Sequence, residues 1–176
     1  PTVRLYNFRN KSKNGFLFHG AGLIRDQKGF VFLGESGAGK TTTTKRFSAI
    51  DSEVVVVGDD AIILTFNLNG VTLWSAPLGS SWLREPPPQM VVPVSRIYSL
   101  NKGTQTQIID IEESEKLGVI LKNMMTTPDE DKDQILGLTY AMTQMKISIC
   151  RLVLEGETAN DTLNWKRIRG VGIEDE

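Results

Sequence analysis

Phe30-Val31-Phe32-Leu33-Gly34-Glu35-Ser36-Gly37-Ala38-Gly39-Lys40-Thr41 is the stretch on which the reading of this chain turns. Its first four residues are apolar and suit a buried strand. The next eight match G-x-x-x-x-G-K-[ST], the phosphate-binding loop. Residues 42–49 can continue as a helix. The glycines let the backbone curl so that successive N–H groups face phosphate oxygens, and the helix adds the positive end of its dipole. Gly34, Ser36, Gly37, Ala38, Gly39, Lys40, Thr41 and Thr42 are the expected phosphate-binding residues. Lys40 can reach the β- and γ-phosphates, and the Thr41 hydroxyl can hold Mg²⁺. A plain Gly/Ser surface turn shares the composition but does not require strand, loop and helix in this order. The expected ligand is a nucleoside triphosphate or a close relative.

Downstream, Val54-Val55-Val56-Val57-Gly58-Asp59-Asp60 is an unbroken β-branched run ending in two carboxylates. Such a run suits a strand covered on both faces. In phosphate-loop proteins the end of that strand faces the metal and the γ-phosphate. Adjacent side chains point apart, so one aspartate can hold Mg²⁺ while the other takes a proton from an attacking hydroxyl. An Asp-Asp turn after a strand is the structural alternative. The one histidine, His19, ends the apolar run Phe16-Leu17-Phe18 and precedes Gly20. Taken by itself it reads as a hydrogen-bonded core residue.

Outward from these motifs, strands are expected at residues 3–8, 15–19 and 22–25. Asp26-Gln27-Lys28-Gly29 forms the turn into the strand at 30–33. Residues 61–66 and 71–74 flank Asn67-Leu68-Asn69-Gly70, a hairpin signal. Residues 77–93, with Pro86-Pro87-Pro88, are irregular, either a substrate-facing loop or a connector, with the connector preferred. Further strands are expected at 94–100 and 106–111, and a helix at 112–124. A second helix starts at Thr127-Pro128-Asp129-Glu130 and carries the stripe Ile135, Leu138, Met142 and Met145. The acids at 129–133 read as a solvated helix start. A late strand at 147–154 and a short helix at 163–168 close the chain. Asn101-Lys102-Gly103-Thr104 has Thr104 where a guanine-reading motif has aspartate, and reads as a turn. The layout is mixed α/β rather than strict βαβ alternation.

With 176 residues, the chain is most simply one domain, 1–176. Twenty basic against 21 acidic residues leave a net charge of −1, which argues against a nucleic-acid binder working through a general basic field. No apolar run is long enough to span a bilayer and no signal-peptide pattern opens the chain, so no membrane partner is expected. The single cysteine, Cys150, sits in an apolar run and reads as a structural thiol; with no internal disulfide available, a reducing, cytoplasmic setting is expected. The chain opens on Pro1, so a trimmed or missing start is expected.

His19-Gly20, the loop, and Gly58-Asp59-Asp60 together resemble the catalytic core of HPr kinase/phosphorylase and its wider group of HPr-kinase-like serine kinases. The Gly-Asp-Asp element is similar to that of ATP-dependent phosphoenolpyruvate carboxykinase. The resemblance covers residues 15–64. It implies a mixed β-sheet with flanking helices, ATP and Mg²⁺, and phosphorylation of a serine-type hydroxyl on a protein, peptide or small molecule. It implies Asp59 as general base, Asp60 with Thr41 on the metal side, Lys40 on the phosphates, and His19 orienting Asp59. The Gly- and Arg-containing signature that follows the aspartates in complete HPr kinases is not found, so HPr is not carried over as substrate. Arg84 and Arg96 are the candidates for charge stabilisation. The rival readings are a nucleotide-binding regulatory module without an acceptor and a small-molecule phosphotransferase related to the carboxykinase. A homo-oligomer through the Met-rich helix is a further expectation.

Overall fold

A computed structural model describes residues 15–75, 89–125, 132–144 and 148–155. The strand expected at 3–8, the helix at 163–168, residues 77–88 of the irregular stretch and 127–131 at the start of the second helix, together with Arg84 and Met145, lie outside these residues. The end of the stretch expected to be irregular to residue 93 is instead strand, with 91–93 paired to 72–74.

The strand β1 (Gly15–Arg25) organises what surrounds it. Two strands were expected here, divided at Gly20-Ala21. The chain instead runs through as one, because Gly20 is where it passes from one sheet to another. Residues 15–19 pair with β4 (Ala61–Asn67), and residues 20–25 pair with β2 (Lys28–Leu33). The second stretch also pairs with β3 (Val55–Gly58). A Cβ on Gly20 would stand 2.8 Å from the Leu33 side chain, so the crossing needs a residue without one.

The turn between β1 and β2 is tighter than expected. Arg25 pairs directly with Lys28, and Asp26 and Gln27 take φ of 50° and 57°. Two left-handed central residues match the right-handed twist of a hairpin. Gly29 is therefore a strand residue, and it packs against Leu73. Arg25 ties this turn to the next one through ion pairs with Asp26, Asp51 and Glu53, the Asp51 contact being 2.8 Å.

Helix α1 (Lys40–Ile50) follows the glycine loop. β3 comes next, on the far side of β1 from β2. Since β1 is antiparallel to both, β2 and β3 run the same way. β6 (Val91–Gly103) is parallel to β2, and β8 (Ile149–Glu155) is parallel to β6. Four strands thus end on one edge of the sheet. β7 (Gln107–Asp110) pairs antiparallel with β8.

The hairpin of β4 and β5 (Gly70–Trp74) forms as expected, with Asn67 opposite Gly70. Gly70 has a φ of 125°, and the Asn67 carboxamide accepts from Asn69 N–H at 2.9 Å. β5 also pairs with the start of β6, so hydrogen bonding closes a circuit β1–β4–β5–β6–β2. Inside it lie Phe18, Val31, Leu33, Ile62, Leu64, Leu73 and Ile97, all fully buried. Ile120 of α2 (Glu113–Asn123) and Leu138 of α3 (Lys132–Gln144) join this core.

The alternate residues of the same strands face the other way and meet α1. Phe30, Phe32, Tyr98, Leu100, Cys150 and Leu152 form that second layer. Cys150 is buried there, as its apolar setting implied, and burial pushes its thiol up from the ordinary value. Asn101-Lys102-Gly103 is not a turn. It extends β6 in register with Val153, Leu154 and Glu155, and the chain leaves the strand at Thr104. Among the described residues, no helix is long and apolar enough to cross a membrane.

α1 presents one large apolar side chain to the sheet. Phe47 is fully buried and stacks on Phe32 at 6.1 Å, and Phe32 stacks on Tyr98 at 5.5 Å. The other buried positions on this face are Lys40, Thr43 and Thr44. Phe47→Ala is therefore expected to destabilise the fold by about 3–5 kcal/mol, the range for emptying a buried aromatic site. Chemical denaturation of wild type and variant measures it. A second expectation concerns acid. The hydrogen bond from Arg25 holds the Asp51 carboxyl below its ordinary 3.8. Its contribution is whole above that pH and is lost as pH falls through the lowered value. Arg25→Met should lower Tm at neutral pH, and the two melting curves should converge below pH 3.8.

Candidate phosphate-binding site

The loop at 34–41 joins the end of β2 to α1, as its sequence requires. Gly37 and Gly39 have φ of 78° and 105°, in the region that side chains disfavour. The first turn of α1 begins with Thr43 N–H donating to Gly39 O at 2.8 Å. The N–H groups of Lys40, Thr41 and Thr42 precede that bond and have no acceptor within the helix. Gly39 makes no side-chain cap. A helix of 11 residues thus starts with donors aimed out of its end, where an anion is favoured.

Lys40 is 7% exposed. Its Nζ donates to Gly34 O at 2.7 Å and to Glu35 O at 3.0 Å. An ammonium has three hydrogens, so one remains for a phosphate oxygen. Burial lowers the Lys40 pKa from its ordinary value, while the charges of Asp60 and then Asp59 act in the opposite direction. Both carboxylates follow the end of β3, which runs parallel to the strand that leads into the loop.

The two aspartates differ in their surroundings. Asp59 is 5% exposed, and its Oδ1 accepts from the Thr44 hydroxyl at 2.8 Å. Thr44 lies in α1, so this bond joins the helix after the loop to the end of β3. The same hydroxyl approaches Thr41 O at 3.0 Å, and its single hydrogen is shared between the two acceptors. The Asp60 side chain is 84% exposed. His19 Nε2 stands 3.9 Å from Asp60 Oδ1, beyond hydrogen-bond length. The histidine expected to orient Asp59 is thus set beside its neighbour. It lies in the middle of β1, at the last pair with β4, opposite Ala61, and the backbone of the next residue, Gly20, donates to Asp60 O at 3.3 Å. Gly58 allows this corner: a Cβ there would lie 2.6 Å from Ala61 O.

Two contacts to the loop come from the end of α2, 89 and 87 residues away in the chain. Asn123 Oδ1 accepts from Gly34 N–H at 3.0 Å, and its Nδ2 donates to Val119 O at 2.8 Å. Lys122 Nζ donates to Glu35 Oε1 at 2.6 Å. These residues were not picked out from the sequence, where Asn at a helix end reads simply as a cap. Arg96 is not brought to the loop. It is level with Phe30, four residues before Gly34, or roughly 13 Å along a strand. Its Nε donates to Ser148, which precedes the start of β8 at the opposite edge.

The donor chemistry fits a hard cation held largely by substrate. Among the described residues, no group of three or more His, Cys, Asp or Glu side chains forms a metal cluster. Thr41 and the exposed Asp60 offer one hydroxyl and one carboxylate. Mg²⁺ in phosphate sites typically takes one or two protein oxygens, the remainder coming from phosphate and water.

No protein-family model matches the chain, and no curated protein sequence matches it. Among solved structures it is similar to the Hpr(Ser) kinase/phosphatase from Coxiella burnetii, with 16% sequence identity and a TM-score of 0.40. The match covers 79% of this chain and 85% of that one. This is a distant structural likeness.

Proposed function

We propose that this protein is an ATP- and Mg²⁺-dependent kinase that transfers the γ-phosphate to a serine-type hydroxyl of a protein, peptide or small molecule. The observation that carries the reading is the tie between loop and carboxylates: a glycine loop with its lysine and an uncapped helix start lead into α1, and Thr44 of that helix is hydrogen-bonded at 2.8 Å to Asp59, the first of two aspartates at another strand end. A binder alone needs the first two. The carboxylates add the means to handle metal and proton.

In this reading the loop amides and Lys40 hold the β- and γ-phosphates. Thr41 and Asp60 would hold Mg²⁺, whose charge would offset that of those oxygens. Asp60 suits the metal side because it is exposed at the strand end. Asp59 suits the proton acceptor because the Thr44 hydroxyl fixes its buried carboxylate at the end of β3. The acceptor oxygen bonds to the γ-phosphorus, the bond to the β,γ-bridging oxygen breaks, ADP leaves, and the hydroxyl proton passes to Asp59. Positioning and charge neutralisation carry most of the rate. His19 lies beside Asp60.

Calorimetry with ATP and Mg²⁺ tests the first half. Lys40→Ala should weaken binding roughly ten- to a hundredfold, the equivalent of a charged hydrogen bond of about 1.5–3 kcal/mol. γ-Labelled ATP with lysate or candidate peptides tests the second. Label on serine supports the kinase, whereas slow hydrolysis alone supports a regulatory nucleotide module. Asp59→Asn should keep ATP affinity and lose transfer by roughly 10²–10⁴-fold. Asp60→Asn should instead raise the Mg²⁺ concentration needed for transfer. Normal transfer by Asp59→Asn would remove it as the base. Thr44→Val keeps the shape and removes the hydroxyl, so kcat should fall while the affinity for ATP changes little.

A further inference from the structure

We propose that the C-terminal turn of α2 is a working part of the anion site, with Asn123 positioning the phosphate loop and Lys122 serving as a second cation for the bound polyphosphate. The inference deepens the phosphate-loop reading and rests on it for Lys122.

Adjacent residues on the helix grip adjacent residues on the loop: Asn123 holds Gly34 and Lys122 holds Glu35. The two grips differ in kind. Asn123 is 9% exposed and satisfied at both ends of its amide, by Gly34 N–H and Val119 O. Such a buried, fully bonded amide specifies one geometry, because a shifted loop would leave polar atoms unpaired. It sets the point at which β2 gives way to the loop. The same turn is fixed to the sheet beyond it, since Met125 N–H donates to Leu17 O at 2.8 Å. The loop entry and the strand leading to His19 are thus referenced to one helix end.

Lys122 and Glu35 are 67% and 74% exposed. An exposed pair of this sort adds little to stability. Its consequence lies in charge. Glu35 is an anion inside the loop, and Lys122 holds its carboxyl below the ordinary value. With its backbone beside the buried Asn123 and its side chain exposed, Lys122 can transfer from Glu35 to a phosphate oxygen. Glu35 then opposes the ligand by competing for Lys122 as well as by its own charge.

The experiment measures inorganic tripolyphosphate and Mg-ATP binding, with amide hydrogen exchange over residues 34–41. Lys122→Met should weaken binding of both ligands about two- to fivefold, and Glu35→Gln should tighten it by a similar factor. Both surface variants should melt as wild type does. Asn123→Ala should speed exchange in the loop, and Asn123→Asp, which keeps an acceptor for Gly34 N–H, should restore protection. Wild-type affinity in both surface variants overturns the role of Lys122. Unchanged loop exchange in Asn123→Ala overturns that of Asn123. A wild type that binds neither ligand sinks the phosphate-loop reading and the Lys122 role with it, while the exchange comparison still decides Asn123. Should Asn123→Ala fail to fold, exchange in Asn123→Asp decides, with a loosened loop counting against the positioning role.

Discussion

The structure depends on a single strand that belongs to two sheets. β1 hydrogen-bonds to β4 through its first half and to β2 and β3 through its second. Because β1 is antiparallel to the strands on either side of it, those two neighbours must run parallel. The connection between them is then a crossover, and α1 makes it. That crossover places the end of β2 and the end of β3 on the same edge. In open α/β sheets, ligands bind outside the carboxyl ends of the strands. Here that edge holds the glycine loop, Lys40 and both aspartates.

Placement alone would leave the aspartates near the loop without fixing them to it. The Thr44–Asp59 hydrogen bond supplies the fixing, because it ties the first turns of α1 to the residue after β3. The charges at this edge are close to balanced. Lys40 and Lys122 stand against Asp59, Asp60 and Glu35, so the pocket is not a simple cationic trap. In the proposed reaction the backbone donors at the start of α1 would therefore carry the preference for an anion.

The elements whose signals are local were legible in the sequence. Strand, loop and helix over 30–50, the hairpin around Gly70 and the helix at 113–123 all follow from patterning and turn chemistry. The misreadings share a cause. Gly20-Ala21 reads as a break because glycine weakens a strand locally, yet the small residue is needed where β1 meets Leu33 and Ile62. Gly29 reads as a turn residue, yet Asp26 and Gln27 take the left-handed conformations and Gly29 makes room for Leu73. Asn101-Lys102-Gly103 reads as a turn, yet β8 offers it a ladder of hydrogen bonds. In each case a partner distant in the chain overrode the local preference.

By itself the sequence determined the chemistry on offer: a loop able to cradle phosphates, a lysine to reach them, and a pair of carboxylates at a strand end. These are properties of residue type and short spacing, which the backbone expresses wherever it folds. Only the tertiary structure decided which groups meet. It set Thr44 on Asp59, His19 beside Asp60 and Asn123 on Gly34, and it left Arg96 at the opposite edge. Those pairings depend on strand order, register and direction, which are set by burying two apolar layers at once, and no short stretch of the chain carries that information.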